Sequence, residues 1–164
     1  MKLLKIFAAM VFLIMAIYLA LPSPNFPQLP PGSIQSIEPG DTESIYRRAY
    51  YTNLTREEIM AYYFQQFGGW GLQIILPPEE AQTVIRDQTK SSYLEEIIHP
   101  GREVLYVNAF VPQLPKDQIN INKVHYLNKV AVRMVPSHVI GRLTMLLLVT
   151  GASLLLFKEY VDKK

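Results

Sequence analysis

The chain contains no cysteine among its 164 residues. It can therefore form no disulfide, and it has no thiol nucleophile and no thiolate metal site. An exported domain of about 100 residues buries enough surface to fold without disulfides, so export is not excluded. The absence of cysteine favours a bacterial-type envelope protein over an animal secretory protein.

The region between the two ends of the chain also has no excess of basic residues. Residues 22–138 contain ten Lys or Arg and twelve Asp or Glu, a net charge of −2. A nucleic-acid partner would call for a basic stripe, and a polybasic lipid-binding surface would call for a lysine-rich cluster. We therefore expect no nucleic-acid partner.

Two long apolar stretches are present, at residues 3–21 and 139–157, interrupted only by Lys5 and Arg142. A helix of about 19 residues is roughly 28 Å long, which matches the hydrocarbon core of a bilayer. The sequence thus predicts transmembrane helices at both ends, with the lipid bilayer as a partner. Arg142 lies about one turn inside its span, and we expect it to snorkel to the outer interface.

The basic residues near the spans predict the orientation. Lys2 and Lys5 flank the start of the first span, and residues 158–164 contain three lysines, whereas Pro22–Tyr46 contains no Lys or Arg. Positive charge near span ends is retained in the cytoplasm. We therefore predict cytoplasmic tails at 1–2 and 158–164 and an extracytoplasmic segment at 22–138, in the plasma (inner) membrane.

The first span could alternatively be a cleaved signal peptide. Cleavage after Ala20 would place Tyr18 at a position that requires a small residue. We therefore expect a retained signal anchor.

A linker and a folded domain are expected between the spans. Residues 22–40 contain six prolines, which suppress helix and favour extended geometry. A domain at 41–136 is joined almost directly to the second span, so it must lie close to the membrane. The linker is then expected to run along the flank of the domain to reach its first strand.

The domain is predicted to be α+β, with two or three helices on one face of a mostly antiparallel sheet of about four strands. A helix over Arg56–Phe67 begins with a Thr55–Glu58 capping box. Its expected buried face contains Ile59, Met60, Tyr63, Phe64 and Phe67. The strands are expected at Ser44–Thr52, Trp70–Leu76, Glu103–Val111 and Lys123–Val135, and the last of these would place Val124, Tyr126, Val130, Val132 and Met134 on one side.

Residues 79–98 contain a phase error in their apolar pattern, with a second capping box at Ser92–Glu95. The pattern favours two helices, from about Glu79 to Thr89 and from about Tyr93 to Ile98. A single continuous helix, buried on both faces, is the alternative.

No motif for catalysis or cofactor binding is complete. Glu96 and His99 have Glu-x-x-His spacing, but a di-metal site needs a second such motif and two more glutamates. Ser91 and Ser92 lack a Gly-x-Ser-x-Gly context. We therefore assign no catalytic, metal or cofactor-binding residue, and no cofactor.

Aromatic residues are concentrated between Tyr46 and Trp70. Most should be buried, whereas the exposed ones are expected among Tyr50, Tyr51 and Tyr62, where neighbouring arginines would complete a protein-binding surface. The leading hypothesis is a non-enzymatic, two-span membrane protein that presents a protein-binding or scaffold domain. The alternatives are an accessory or sensor subunit of a larger membrane complex, and an envelope enzyme whose site is assembled from residues distant in sequence.

Overall fold

The computed structural model describes residues 2–67, 72–75, 99 and 101–163. Within these residues there are three α-helices, which are α1 Lys2–Ala20, α2 Arg56–Phe67 and α3 Val139–Asp162. The terminal helices α1 and α3 contact each other, and each is long and apolar enough to cross a membrane. The helix α3 continues five residues beyond the apolar stretch that predicted it.

The main sheet of the described residues has five strands. Its members are β1 Ile34–Gln35, β2 Arg47–Thr52, β3 Leu72–Ile75, β4 Val104–Phe110 and β7 Asn128–Val135, in the spatial order β1-β2-β7-β4-β3. All neighbours are antiparallel except β3 and β4, which are parallel. The α+β class and the mostly antiparallel sheet are confirmed. The short strand β1 was not predicted.

The core lies between α2 and one face of the sheet. From the helix it takes Ile59, Tyr63 and Phe67, and from β4 and β7 it takes Leu105, Val107, Ala109, Val130, Val132 and Met134. The predicted burial of Phe64 is wrong, because this ring is 65 % exposed. Ile59, Tyr63 and Phe67 follow one another at intervals of four, and Phe64 is rotated about 100° away from Tyr63.

The predicted capping box at the start of α2 is confirmed. The backbone N–H of Thr55 donates to Glu58 Oε2 over 2.7 Å, and the N–H of Glu58 donates to Thr55 Oγ1 over 3.3 Å. Two backbone donors at the helix start, where no carbonyl of the helix can reach them, are thereby satisfied. The helix bounds also match those expected from sequence.

The prediction of one long strand at Lys123–Val135 is wrong for its first part. The chain forms a separate hairpin of β5 Ile119–Ile121 and β6 Val124–Tyr126, and β7 starts only at Asn128. The turn residues Asn122 and Lys123 have φ values of 53° and 66°, which is the type I′ geometry of a two-residue hairpin. As a result Val124 is 49 % exposed instead of lying in the core.

The proline-rich segment before β1 lies against α2. The backbone N–H of Gln28 donates to Gln66 Oε1 over 2.8 Å, and the Tyr62 hydroxyl donates to the Leu29 carbonyl over 2.7 Å. Phe26 packs against the core. The segment then enters the sheet as β1, which pairs with β2.

The helices predicted within residues 79–98, together with the Ser92–Glu95 capping box, lie outside the described residues.

Candidate functional site

Two of the three tyrosines expected at the surface are buried in the described part of the chain. Tyr50 and Tyr51 are only 4 % and 5 % exposed, and Arg47 is buried beside them. Successive side chains of β2 point to opposite faces of the sheet, so that Tyr50 packs in the core and Tyr51 lies against Tyr126. Tyr62 is partly buried and bound to the linker. The predicted exposure of Tyr50 and Tyr51 is therefore wrong, and they cannot form the expected protein-binding surface.

His99 forms part of the loop that leads into β4. Its ring Nε2 lies 2.9 Å from the carbonyl oxygen of Arg102, and its own carbonyl accepts a hydrogen bond from Ser137 Oγ over 3.2 Å. Glu96 lies outside the described residues. In the part of the chain that the structure describes, no group of three or more His, Asp or Glu side chains could hold a metal ion.

A buried cluster of charged side chains lies where the domain meets the terminal helices. Arg142 Nη1 is 2.9 Å from Glu103 Oε1, and Arg102 Nε is 2.9 Å from Glu103 Oε2. The side chains of Glu103 and Arg142 have no exposed surface. We call Arg102, Glu103 and Arg142 the junction cluster.

The two arginines of the junction cluster also bind the C-terminal end of α1. Arg102 Nη1 donates to the carbonyls of Tyr18 and Leu21 over 3.2 Å and 2.9 Å, and Arg142 Nη2 donates to the Leu21 carbonyl over 3.1 Å. The last carbonyls of a helix lack partners within it and carry partial negative charge. The cluster thus connects the end of α1, the start of β4 and the first turn of α3.

The snorkelling of Arg142 to the outer interface stays a prediction, but its side chain has no exposed surface. Its guanidinium turns into the protein because a carboxylate and a backbone carbonyl are available there. The sequence contained a signal for this arrangement, since an arginine inside an apolar span requires a partner. The partner, Glu103, is 39 residues away in sequence, and no local pattern connects the two.

A cleft of about 700 Å³ lies at the other end of the sheet. The strand β4 runs from the junction cluster to Phe110 over seven residues, which places the cleft on the order of 20 Å from the junction at about 3.3 Å per residue. We call it the distal cleft. Its walls include Glu38, Tyr51 and Lys129 on one side and Leu114 with the strand Ile119–Ile121 on the other.

A hydrogen-bonded network forms the first wall of the distal cleft. Lys129 Nζ lies 2.9 Å from Glu38 Oε2 and 2.8 Å from Asp41 Oδ2. The Tyr51 hydroxyl donates to Glu38 Oε1, and the Ser36 hydroxyl donates to Asp41 Oδ2 over 2.6 Å. One ammonium group is thus shared by two carboxylates, so the wall has a net negative charge.

The network shifts the pKa values of its members. The hydrogen bond from Lys129 and the hydrogen bond from Tyr51 together lower the pKa of Glu38. Burial acts to lower the pKa of Lys129, but hydrogen bonds to Asp41 and Glu38 outweigh it and the pKa is raised. Burial, followed by the bond to Glu38, raises the pKa of Tyr51. At neutral pH Lys129 is therefore a fixed cation rather than a nucleophile or a base.

The distal cleft combines this polar wall with apolar side chains, an arrangement that suits binding. Leu114, Ile119 and Ile121 lie in its lining, and Leu114 is exposed. A comparison of the chain with models of protein families, with curated proteins and with solved structures found no match. Its function therefore has to be argued from the geometry of its own residues.

Proposed function

We propose that the chain is a non-enzymatic, two-span membrane protein whose α+β domain binds a protein partner through the distal cleft. Both termini are cytoplasmic in this proposal, and residues 22–138 lie outside the cytoplasm. The orientation is supported by the lysines that flank α1 and follow α3, and by the absence of Lys and Arg in Pro22–Tyr46.

The observation that carries the proposal is the position and lining of the distal cleft. It opens at the end of the sheet opposite to the terminal helices, where a partner outside the membrane can reach it. Its volume of about 700 Å³ falls in the range of about 300–1,000 Å³ that is typical of ligand sites. Leu114 in its lining remains 52 % exposed, and apolar surface with a polar rim marks interaction sites.

The junction cluster supports a role as a scaffold. Because Arg102 and Arg142 bind backbone carbonyls of α1 as well as Glu103, the domain is held to both terminal helices by buried hydrogen bonds. A domain that is held in this way presents its far end at a fixed height and orientation. This reduces the conformational freedom that a partner would otherwise have to restrict on binding.

Site-specific photo-crosslinking in intact membranes tests the proposal. A benzophenone amino acid is placed at Leu114 or Ile119 in the cleft and, as a control, at Ile45, which is exposed near the opposite end of β2. We expect a discrete crosslinked protein at both cleft positions and none at Ile45. Equal crosslinking at all three positions, or none at the cleft, would contradict the proposal.

A role as an accessory or sensor subunit is the second candidate, and the junction cluster favours it as well. A displacement of α1 against α3 would reach β4 directly through Arg142 and Glu103. This candidate requires a partner within the bilayer. Photo-crosslinking from the outward residues Leu147 and Leu154 of α3, which are exposed, should then capture a membrane protein, and it should capture none if the domain alone makes the contact.

A further inference from the structure

We propose that the distal cleft receives an extended segment of the partner protein, which adds as a third strand to the free edge of β5 and directs a basic side chain toward Glu38. This inference rests on the proposed function and specifies the chemistry of the partner. The β5 strand of a second copy of this chain could occupy the same edge instead, and the test described below distinguishes the two.

The first supporting observation is that β5 has an unpaired edge inside the cleft. The strands β5 and β6 form a separate two-stranded sheet, and among the described residues β5 pairs with no other strand. All three residues of β5 line the cleft. A strand edge carries N–H and C=O groups that are ready to pair with another extended chain, and peptide recognition by strand addition uses such edges.

The hairpin geometry determines which backbone groups face the cleft. Because the turn consists of two residues, Asn122 and Lys123, the flanking pair Ile121 and Val124 exchanges hydrogen bonds. The next pair, Asn120 and His125, is then a pair without mutual backbone hydrogen bonds. The N–H and C=O of Asn120 therefore point away from β6, toward the cleft. Those of His125 point away from β5, along the opposite edge of the hairpin.

The opposite wall determines the charge of the occupant. Two carboxylates, Glu38 and Asp41, share the single ammonium of Lys129. The Glu38 side chain remains 59 % exposed, so its oxygens can accept a further hydrogen bond. A lysine or arginine of the inserted segment complements this excess negative charge. Alternate side chains of the same segment would lie against Leu114, Ile119 and Ile121.

The test uses the full chain in detergent micelles and a defined probe. The probe is a fluorescein-labelled nine-residue peptide in which valine and threonine alternate around a central lysine, and its binding is measured by fluorescence anisotropy. The decisive variants are Asn120→Pro and His125→Pro, which each remove one outward N–H from opposite edges of the same hairpin. Asn120→Ala serves as the control that keeps the backbone donor.

We expect Asn120→Pro to weaken probe binding by about tenfold or more. The affinities of His125→Pro and Asn120→Ala should stay within about threefold of the native chain, because only Asn120→Pro removes an N–H that faces the cleft. Equal losses in the two proline variants would overturn the proposal. So would the absence of saturable probe binding to the native chain up to about 1 mM, a weak affinity for any specific site.

A second measurement does not depend on the folding of any variant. The probe is N-methylated at one backbone nitrogen at a time and tested against the native chain. Successive N–H groups of a strand point to opposite edges, so tolerance to methylation should alternate with a period of two. Uniform tolerance or uniform loss would overturn strand addition.

The outcomes separate this inference from the proposed function. Crosslinking at Leu114 and Ile119 without any probe binding would leave a protein-binding cleft but reject an extended segment as its occupant. If the chain dimerises in micelles and Asn120→Pro abolishes the dimer, then the occupant is the β5 strand of a second copy and the proposed partner is rejected.

Discussion

The junction cluster and the network of the distal cleft both consist of basic side chains paired with carboxylates. They differ in which charge is in excess and in how exposed the groups are. At the junction, two arginines share one buried carboxylate, and they also bind the carbonyls at the end of α1. At the cleft, two carboxylates share one lysine, and Glu38 remains largely exposed. The first arrangement leaves little capacity for a further ligand, whereas the second keeps oxygen acceptors at a surface. Charged groups therefore join the domain to the terminal helices at one end, and at the other end they leave a carboxylate exposed in the distal cleft.

The largest effect should come from separating the partners of the junction cluster. Arg142→Met leaves Glu103 buried with one arginine, and removing one partner of a buried ion pair costs about 3–5 kcal/mol of folding free energy. The free energy of unfolding in detergent, followed by circular dichroism in urea, measures the loss. Glu103→Gln should then cost less in the Arg142→Met background than in the native chain, because the ion pair between these two residues is already broken there. If the two substitutions are additive, the ion pair does not link the helix to the domain.

A smaller loss is expected at the distal network. Lys129→Met removes the cation that Glu38 and Asp41 share. We expect a loss of about 1–3 kcal/mol in the free energy of unfolding, because the buried Asp41 loses one of its hydrogen-bond donors. Lys116→Met is the matched control, since Lys116 is an exposed lysine of the same cleft. That change should stay within about 0.5 kcal/mol. A loss at Lys129 as large as that of Arg142→Met would remove the distinction between the two regions.

The contrast between local and distant interactions also explains which parts of the fold were predictable. The capping box and the buried face of α2 depend on residues three to four positions apart, and the buried face of β4 depends on residues two positions apart. These short-range patterns are visible in the sequence. The pairing of Arg142 with Glu103 depends on the complete fold. Tyr51 contacts Tyr126 and Lys129, which are more than 70 residues away in sequence, so its burial leaves no local pattern either.

The hairpin was missed for a different reason. Its turn contains Asn122 and Lys123 and not the Asn-Gly pair that is typical of a type I′ turn. The apolar alternation of β7 continues back through β6 in the sequence, because Val124 and Tyr126 stand at even positions, as Val130 does. At the break, Asn53 Oδ1 accepts the backbone N–H of Leu127 over 2.9 Å. That contact joins residues 74 positions apart and has no local signal.

The hairpin turn offers a substitution that should stabilise the protein. Lys123 has a φ of 66°, a left-handed conformation that costs a side-chain-bearing residue about 1–2 kcal/mol. Lys123→Gly should relieve most of this cost and raise the free energy of unfolding by about 1 kcal/mol, less than either loss above. Lys116→Gly, outside the turn, should give no gain. A lower unfolding midpoint for Lys123→Gly would show that the turn does not adopt this geometry.

The smallest effect is a difference in pH dependence. Because the folded-state pKa of Glu38 is below its ordinary value of 4.5, its stabilisation is present above pH 4.5 and is lost as the pH falls through the folded value. The folded-state pKa of Lys129 is above its ordinary 10.5, so its contribution is present below pH 10.5 and is lost above it. The stability difference between the native chain and Lys129→Met should therefore shrink below pH 4.5. A difference that stays constant from pH 7 to pH 3 would contradict the proposed network.

The central claim of the proposal is that the distal cleft faces the side of the membrane opposite to the two tails. Because the chain has no cysteine, single cysteines can be introduced at Asn122, in the hairpin turn next to the cleft, and at Lys158, near the end of α3. Intact cells are then treated with a membrane-impermeant maleimide. We expect Asn122→Cys to be labelled in intact cells and Lys158→Cys only after permeabilisation. Labelling of Lys158→Cys in intact cells, with Asn122→Cys protected, would contradict the account.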